Sequence, residues 1–415
     1  MGLCATTRQK SSAFVWNDLW ITVFHGHGHE TWVLNEGPEM NKELTGASSA
    51  LFGDRGQTSV SRGLGEFHGR RPVLVTAPGE ALLALPVEGL DSRRLTEFAA
   101  LCAPAAPELV ITERRALALG LNATTPISVL LSPGHNAAAI LALVTEAISG
   151  RMPTASPASR SAAAAVQLAK MSHSLPAVLA ADIARRTFSS EQAIVQVDAG
   201  AVTLFAEEAA RSLIIASEAL VPLSSGAASR FIVFRDAIGN APVAVIVGNP
   251  DLAGPVPVRL HSACLTGDVF GSRRCDCGDQ LRLALAKLEH LGGGIVLYLP
   301  QEGRGLGLAN KMRTYQLQDE GLDTFDANTT LGFDDDERDY GIAGRMLQML
   351  NCTRVILLTN NPAKLDGLTT AGIEVTSRMQ LEVPINSDNR RYMIAKAARS
   401  GHQLEHLIVS LADQS

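Results

Sequence analysis

Apolar positions along the chain fall into two rhythms: short runs of strand length, and longer stretches with a helical repeat. Pro72-Val-Leu-Val-Thr and Ala81-Leu-Leu-Ala-Leu-Pro have the length of strands. Asp91 or Ser92 can cap a helix that carries Leu95, Phe98 and Leu101 on one face. Pro107-Glu-Leu-Val-Ile-Thr predicts a further strand, and Glu113 to Leu119 a helix with Gly120 as its stop. Residues 137–149 read as helix, a Pro/Ser/Ala stretch at 152–163 interrupts, and helix resumes over 164–171. Ile194 to Leu204 is expected to return to strand. Between 214 and 258, runs such as Phe231-Ile-Val-Phe and Val243-Ala-Val-Ile-Val-Gly alternate with turns, as antiparallel strands would. Asp279 opens a helix with Leu281, Leu285 and Leu288 on one stripe, and Ile295-Val-Leu-Tyr-Leu follows Gly292-Gly-Gly as a buried strand. Gln301 to Gly307 is a Gly-rich turn into a helix over 308–319, and Val355-Ile-Leu-Leu is a strand leading into another helix. The expected class is α/β and α+β. An α/β domain over 65–205 precedes a mixed-sheet domain over 214–402, flanked by an irregular extension (1–64) and a tail (403–415).

Composition narrows the class of protein. The 415 residues suffice for two domains, and 46% hydrophobic with 19% charged residues is globular. A net charge of −6 and a pI near 6.0 argue against a nucleic-acid binder, which needs a basic surface. No apolar run reaches the length of a membrane span. The opening Met-Gly-Leu-Cys-Ala lacks the basic and apolar regions of a secretory signal. A cytoplasmic protein is expected, with neither nucleic acid nor membrane as partner.

Residues 1–40 differ from the rest. All three tryptophans (Trp16, Trp20, Trp32) lie here, with the run His25-Gly-His27-Gly-His29. The histidines offer a metal site; an irregular terminus is the alternative, and the one expected. Met40 followed by Asn-Lys-Glu-Leu would make a natural start, so residues 1–39 are expected to lie outside the native protein.

The chemistry concentrates in Cys264-Leu-Thr-Gly-Asp-Val-Phe-Gly-Ser-Arg-Arg-Cys275-Asp-Cys277. Six cysteines, three of them clustered, read as metal ligation in a reducing compartment rather than a disulfide framework. A Cys-x-Cys pair can place both sulfurs on one ion, and a third thiolate completes a face of a tetrahedron. Three protein ligands and an open fourth position suit a catalytic zinc; a closed zinc knuckle or plain buried thiols are the alternatives. Three thiolates favour zinc over magnesium or manganese.

Further motifs follow: Arg259-Leu-His-Ser-Ala-Cys264-Leu-Thr-Gly-Asp, Arg274-Cys275-Asp-Cys277-Gly, Gln301-Glu-Gly-Arg304, Asp336-Glu-Arg338-Asp and Leu358-Thr-Asn-Asn-Pro-Ala-Lys364. In this order over about 260–365, with weaker likeness outward to 215 and 402, they resemble the signatures of the GTP cyclohydrolase II family. The resemblance implies hydrolysis of GTP to 2,5-diamino-6-(5-phosphoribosylamino)pyrimidin-4-one, formate and pyrophosphate, the first step of riboflavin biosynthesis. It also implies one Zn2+ per subunit at Cys264, Cys275 and Cys277, Mg2+ with the triphosphate, and a homodimer. Tyr315 matches the family's catalytic tyrosine, Asp336 its proton acceptor and Arg338 its nucleophile on the α-phosphate. The GTP-binding residues carried over are Arg259, Leu260, His261, Ser262, Ala263, Gln280, Glu302, Gly303, Arg304, Thr324, Thr359 and Lys364. A guanidinium has a pKa above ~12 and resists deprotonation, so stabilising charge on the phosphoryl group is the easier task for Arg338.

Two positions depart from the family pattern. Ala263 stands where members often have a glutamate, and Pro300 where an arginine often precedes Gln-Glu-Gly-Arg. Residues 65–205 resemble, more faintly, a 3,4-dihydroxy-2-butanone 4-phosphate synthase domain. That family's dense acidic loop is replaced here by Thr76-Ala-Pro-Gly-Glu80-Ala-Leu-Leu, and one carboxylate cannot hold magnesium. The resemblance therefore implies a degenerate domain without synthase activity. Three rival readings stay open: a cyclohydrolase for a related purine nucleotide, a non-catalytic nucleotide-binding regulator, and a scaffolding or dimerising role for residues 65–205.

Overall fold

The computed structural model describes the backbone of residues 11–16, 19–26 and 29–35, and residues 53–132, 134–146, 154–183 and 194–383 in full. The chain divides into two units, residues 1–58 and 59–415. The expected tail (403–415) and the end of the second domain (384–402) lie outside the described residues, as do the side chains of His25, His27 and His29.

In the first unit, β1 (Ser11–Trp16), β2 (Leu19–Gly26) and β3 (His29–Asn35) form an antiparallel sheet in the order β1-β2-β3. An irregular extension was expected. The difference lies in the runs Ala13-Phe-Val-Trp, Leu19-Trp-Ile-Thr-Val-Phe and Thr31-Trp-Val-Leu, whose β-branched and aromatic content suits a pleated surface.

The second unit holds two seven-stranded sheets. The first sheet runs β10-β4-β5-β9-β6-β7-β8, where β4 is Val73–Ala77, β5 Glu80–Pro86, β6 Glu108–Ile111, β7 Ile127–Val129, β8 Ala155–Pro157, β9 Ala177–Asp182 and β10 Val195–Asp198. Its helices are α1 (Arg55–His68), α2 (Ser92–Cys102), α3 (Glu113–Ala118), α4 (Ala137–Thr145), α5 (Arg160–Met171) and α6 (Ala199–Arg211). Two of these differ from expectation. Helix α5 begins at Arg160 rather than 164, because the Ser159 hydroxyl accepts the Ala162 N–H (3.2 Å) and Glu80 accepts the Ser161 N–H (2.8 Å). The lone carboxylate of the expected acidic loop thus caps a helix, and that backbone bond holds its pKa down. The stretch 194–204 is strand only to Asp198. The Asp198 carboxylate accepts the Ala201 N–H (2.9 Å) and starts α6, whose buried face is Ala199, Val202, Phe205 and Ala209.

The second sheet runs β11-β12-β13-β15-β14-β16-β17, with β11 Ile214–Leu220, β12 Ser229–Arg235, β13 Val243–Gly248, β14 Val256–Ser262, β15 Gly293–Leu299, β16 Arg354–Leu358 and β17 Glu374–Met379. From β11 to β15 pairing is antiparallel; β15-β14, β14-β16 and β16-β17 pair in parallel. Its helices are α7 (Cys277–His290), α8 (Leu308–Asp319), α9 (Thr324–Thr330), α10 (Gly341–Met349) and α11 (Pro362–Thr370). Loops leaving the carboxyl ends of parallel strands bound a crevice that commonly binds ligand. Here the loops after β14, β15 and β16 carry the thiols, the Gly-rich turn and Thr359-Asn-Asn.

The two sheets are not separate bodies. Leu306, Leu317, Ala327, Leu331 and Phe333, all from the second half of the chain, belong to the core built on β6, β7 and β9. Arg115 of α3, 1% exposed, crosses the same boundary. Its guanidinium donates to the carbonyls of Leu143 (2.8 Å) and Glu146 (2.6 Å) at the end of α4 and of Thr330 (2.5 Å) at the end of α9. The last carbonyls of a helix lack intrahelical partners, and here one cation satisfies two helix ends.

Candidate active site

A cleft opens at the ends of β14, β15 and β16. Period-two alternation along β14 decides what faces it. Arg259 and His261 line the cleft, while Leu260, fully buried, joins Val258 and Ile295 in the core beneath. Leu260 was expected among the nucleotide-binding residues. Its side chain is turned away, and only its carbonyl acts in the site, accepting Lys364 Nζ at 2.7 Å.

The thiols converge. The Sγ atoms of Cys264, Cys275 and Cys277 lie within 4.8 Å of one another, and Cys264 and Cys275 are 3.7 Å apart. Among the described residues no other three His, Cys, Asp or Glu side chains gather in this way. A Zn–S bond of ~2.3 Å would separate tetrahedral sulfurs by about 3.8 Å, so the spacing fits that ion. Gly267 leaves the room: a Cβ there would lie 2.8 Å from Cys275 Sγ and 3.1 Å from Cys264 Sγ. Hydrogen bonding with Cys275 and Cys277, then the Lys311 ammonium, hold Cys264 as a thiolate far below the usual thiol range; the other two thiols are pushed up in turn.

Asp268 builds the loop from behind. Its buried carboxylate accepts the Cys264 N–H (3.0 Å) and the Tyr298 hydroxyl (3.0 Å), and pairs with His261 Nε2 (3.1 Å). Burial pushes the His261 pKa down against the pull of Asp268, and its buried Nδ1 has no protein partner among the described residues. Groups that orient metal ligands typically contribute 10–100-fold to affinity. An Asp268→Ala variant is accordingly expected to hold Zn2+ about 10–100-fold more weakly in competition with a chromophoric chelator. Wild-type affinity in that variant would remove Asp268 from this role.

The Gly-rich turn forms a short 3-10 segment, Glu302–Gly305, in which Gly303 and Arg304 adopt positive φ (64° and 62°). It presents Glu302 to the thiol loop: Glu302 accepts the Leu265 N–H (2.7 Å) and Lys311 Nζ (2.8 Å). Lys311 also reaches Cys264 Sγ and the Thr266 hydroxyl, each at 3.0 Å. Burial opposes its charge, but the contacts with Cys264 and Glu302 outweigh it and raise its pKa. Sequence reasoning missed Lys311. The signal was the polar series Lys311, Thr314, Tyr315 and Gln318, spaced to share one face of α8 and all lining the cleft. Arg274 stacks over the Tyr315 ring at 4.4 Å.

The cationic side of the cleft is equally built. Arg259, 5% exposed, donates to the Leu358 carbonyl (3.0 Å) and to Gln280 Oε1 (2.5 Å); burial pushes its pKa down to about 10. Thr359, Asn360, Asn361 and Lys364 form the wall beside it. Arg338 donates through Nε to Asp336 Oδ1 (2.7 Å) and reaches the Ser262 hydroxyl (3.4 Å). Burial opposes ionisation of Asp336, yet the bond to Arg338 and its charge bring the pKa below the usual carboxylate range. Ser262, Ala263, Gln280, Glu302, Gly303, Arg304, Tyr315, Thr324 and Arg338 all line this one cleft. Asp336 stands behind Arg338 rather than on the wall. Pro300 faces a different cleft, between α5, α6 and the turn, so that departure from the pattern lies outside the site.

Comparison with known proteins agrees with this geometry. A family model described as GTP cyclohydrolase II matches residues 215–380. The chain is 40% identical over 365 residues to "GTP cyclohydrolase-2" of Xylella fastidiosa (strain Temecula1), covering 85% of this chain and 89% of that protein. It is 41% identical over 350 residues to "GTP cyclohydrolase-2" of Azospirillum brasilense, 80% of this chain and 90% of that protein. A shorter match, 52% over 162 residues, is to "Riboflavin biosynthesis protein RibBA" of Bacillus mycoides (strain KBAB4), 39% of this chain and 41% of that one. The long alignments require the first sheet as well as the second. The three thiols, the cationic wall and these relatives together place the chain in the GTP cyclohydrolase II family.

Proposed function

We propose that this chain hydrolyses GTP to 2,5-diamino-6-(5-phosphoribosylamino)pyrimidin-4-one, formate and pyrophosphate, as a cytoplasmic homodimer with Zn2+ at Cys264, Cys275 and Cys277 and Mg2+ accompanying the triphosphate. The observation that carries the reading is one cleft with a thiol triad on one wall and Arg259, Arg304, Arg338 and Lys364 on the others. Zinc, when bound, makes a water nucleophilic at neutral pH, which opening an imidazole ring and then hydrolysing a formamide both require.

The remaining roles fall to the chain's own groups. Guanidinium forks at Arg259 and Arg304 suit phosphate oxygens, and Lys364 adds a point charge. Glu302 retains lone pairs for the guanine amino edge after accepting from Leu265 and Lys311. Tyr315 passes a proton to a ring nitrogen or polarises the formamide. Arg338 stabilises charge on the α-phosphoryl group as pyrophosphate leaves. Asp336, with both oxygens engaged by Arg338, fixes that guanidinium in the site.

Purified protein supplied with GTP, Zn2+ and Mg2+ is expected to release formate and pyrophosphate together with the pyrimidine product. Turnover of another purine nucleotide but not GTP would overturn the substrate assignment. Pyrophosphate without formate would overturn the assignment of ring opening.

A further inference from the structure

The loop that carries Asp336 and Arg338 is held from outside the cyclohydrolase sheet. Between α9 and α10 the chain runs Gly332-Phe-Asp334-Asp335-Asp336-Glu337-Arg338-Asp339 without regular structure. Carboxylates this close repel one another and disperse a free loop. Two cations from the first sheet's helices oppose that. Lys170 of α5 lies 2.7 Å from Glu337 and 3.4 Å from Asp334; Arg114 of α3 lies 2.6 Å from Asp334. The Lys170 and Glu337 side chains are only 13% and 16% exposed, so salt screens the pair weakly.

The geometry converts these pairs into a fixed turn. The Glu337 oxygen that meets Lys170 also accepts the Asp334 N–H at 2.7 Å, closing residues 334–337. The Glu337 N–H donates to the Arg304 carbonyl (3.1 Å), tying the turn to the Gly-rich segment. At its root, the Thr112 hydroxyl donates to the Gly332 carbonyl (2.7 Å), and Phe333 is buried in the first sheet's core. Arg338 leaves this turn on its cleft side, with Asp336 bonded to its guanidinium.

We infer that Lys170 and Arg114 are positioning residues for Arg338, and that the degenerate first domain acts in the reaction by clamping the 332–339 loop. The inference rests on the function proposed above. A misplacement of about 1 Å can cost ~10²-fold in rate, so the clamp should show in turnover rather than in substrate binding.

Lys170→Ala is expected to lower kcat for formate and pyrophosphate release by about ten- to a hundredfold, with KM for GTP and bound Zn2+ little changed. Lys170→Arg should restore most of the rate, and Lys170→Glu combined with Glu337→Lys should exceed either single charge reversal. Hydrogen exchange supplies a readout independent of turnover: amides of 332–339 should exchange faster in Lys170→Ala, while those of β9 stay protected. Wild-type kcat in the Lys170→Ala/Arg114→Ala double variant, or unchanged loop exchange, would overturn the clamp. So would a loss confined to thermal stability that Lys170→Arg does not rescue. If wild-type protein yields no formate from GTP, the proposed function fails, and loop exchange alone then decides the clamp.

Discussion

A Cys275→Ser protein should lose its metal and, with it, formate release, by more than about a hundredfold in kcat. Removal of a single charge-stabilising group already costs that much in other enzymes. The proposed ligand is a thiolate, and a serine hydroxyl does not ionise near neutrality. Cys275 lies in the loop between β14 and α7 and belongs to none of the hydrophobic cores, so the fold should survive. Arg259, Arg304 and Lys364 are untouched, and GTP should still bind. Three measurements on one sample separate the outcomes: zinc per chain, formate per minute, and GTP affinity. A variant that keeps its zinc and releases formate would remove Cys275 from the ligand set.

Arg115→Met should be the most damaging single change to stability among those considered. Four hydrogen bonds from one rigid fork serve carbonyls at two helix ends, and no aliphatic side chain replaces them. Burial pushes its pKa down to about 10, still well above neutrality, so the fork stays charged and all its N–H groups remain donors. Stranding buried carbonyls costs roughly 1–3 kcal/mol each. Against a total stability of about 5–15 kcal/mol, the variant should unfold in denaturant at a much lower midpoint. Arg115→Lys should recover only part, since a point charge cannot span both helix ends. A midpoint within experimental scatter of wild type would show that water replaces the guanidinium at those carbonyls.

Much of the site was legible because its chemistry is local in sequence. Cys264, Cys275 and Cys277 share one short loop, and Gln301-Glu-Gly-Arg304 and Asp336-Glu-Arg338 are each a single turn. What stayed hidden depends on three-dimensional apposition. Lys311 meets Cys264 across 47 positions, and Lys170 meets Asp334 across 164. Leu260 was expected to bind nucleotide, but strand alternation turned its side chain into the core. At 199–204 the strand expected to run on to Leu204 is helix instead, because one capping aspartate, Asp198, decided for it. The antiparallel strands between Ser11 and Asn35 were missed because position at a terminus outweighed a plain β pattern.

The core shared by the two sheets bears on how such an enzyme can be divided. A cut at residue 215, where the match to the family model begins, would bare Leu306, Leu317, Ala327, Leu331 and Phe333 together. The family model marks a module there; folding does not. The first domain is thereby made indispensable as a foundation, and the surface it turns toward its neighbour is not free to change.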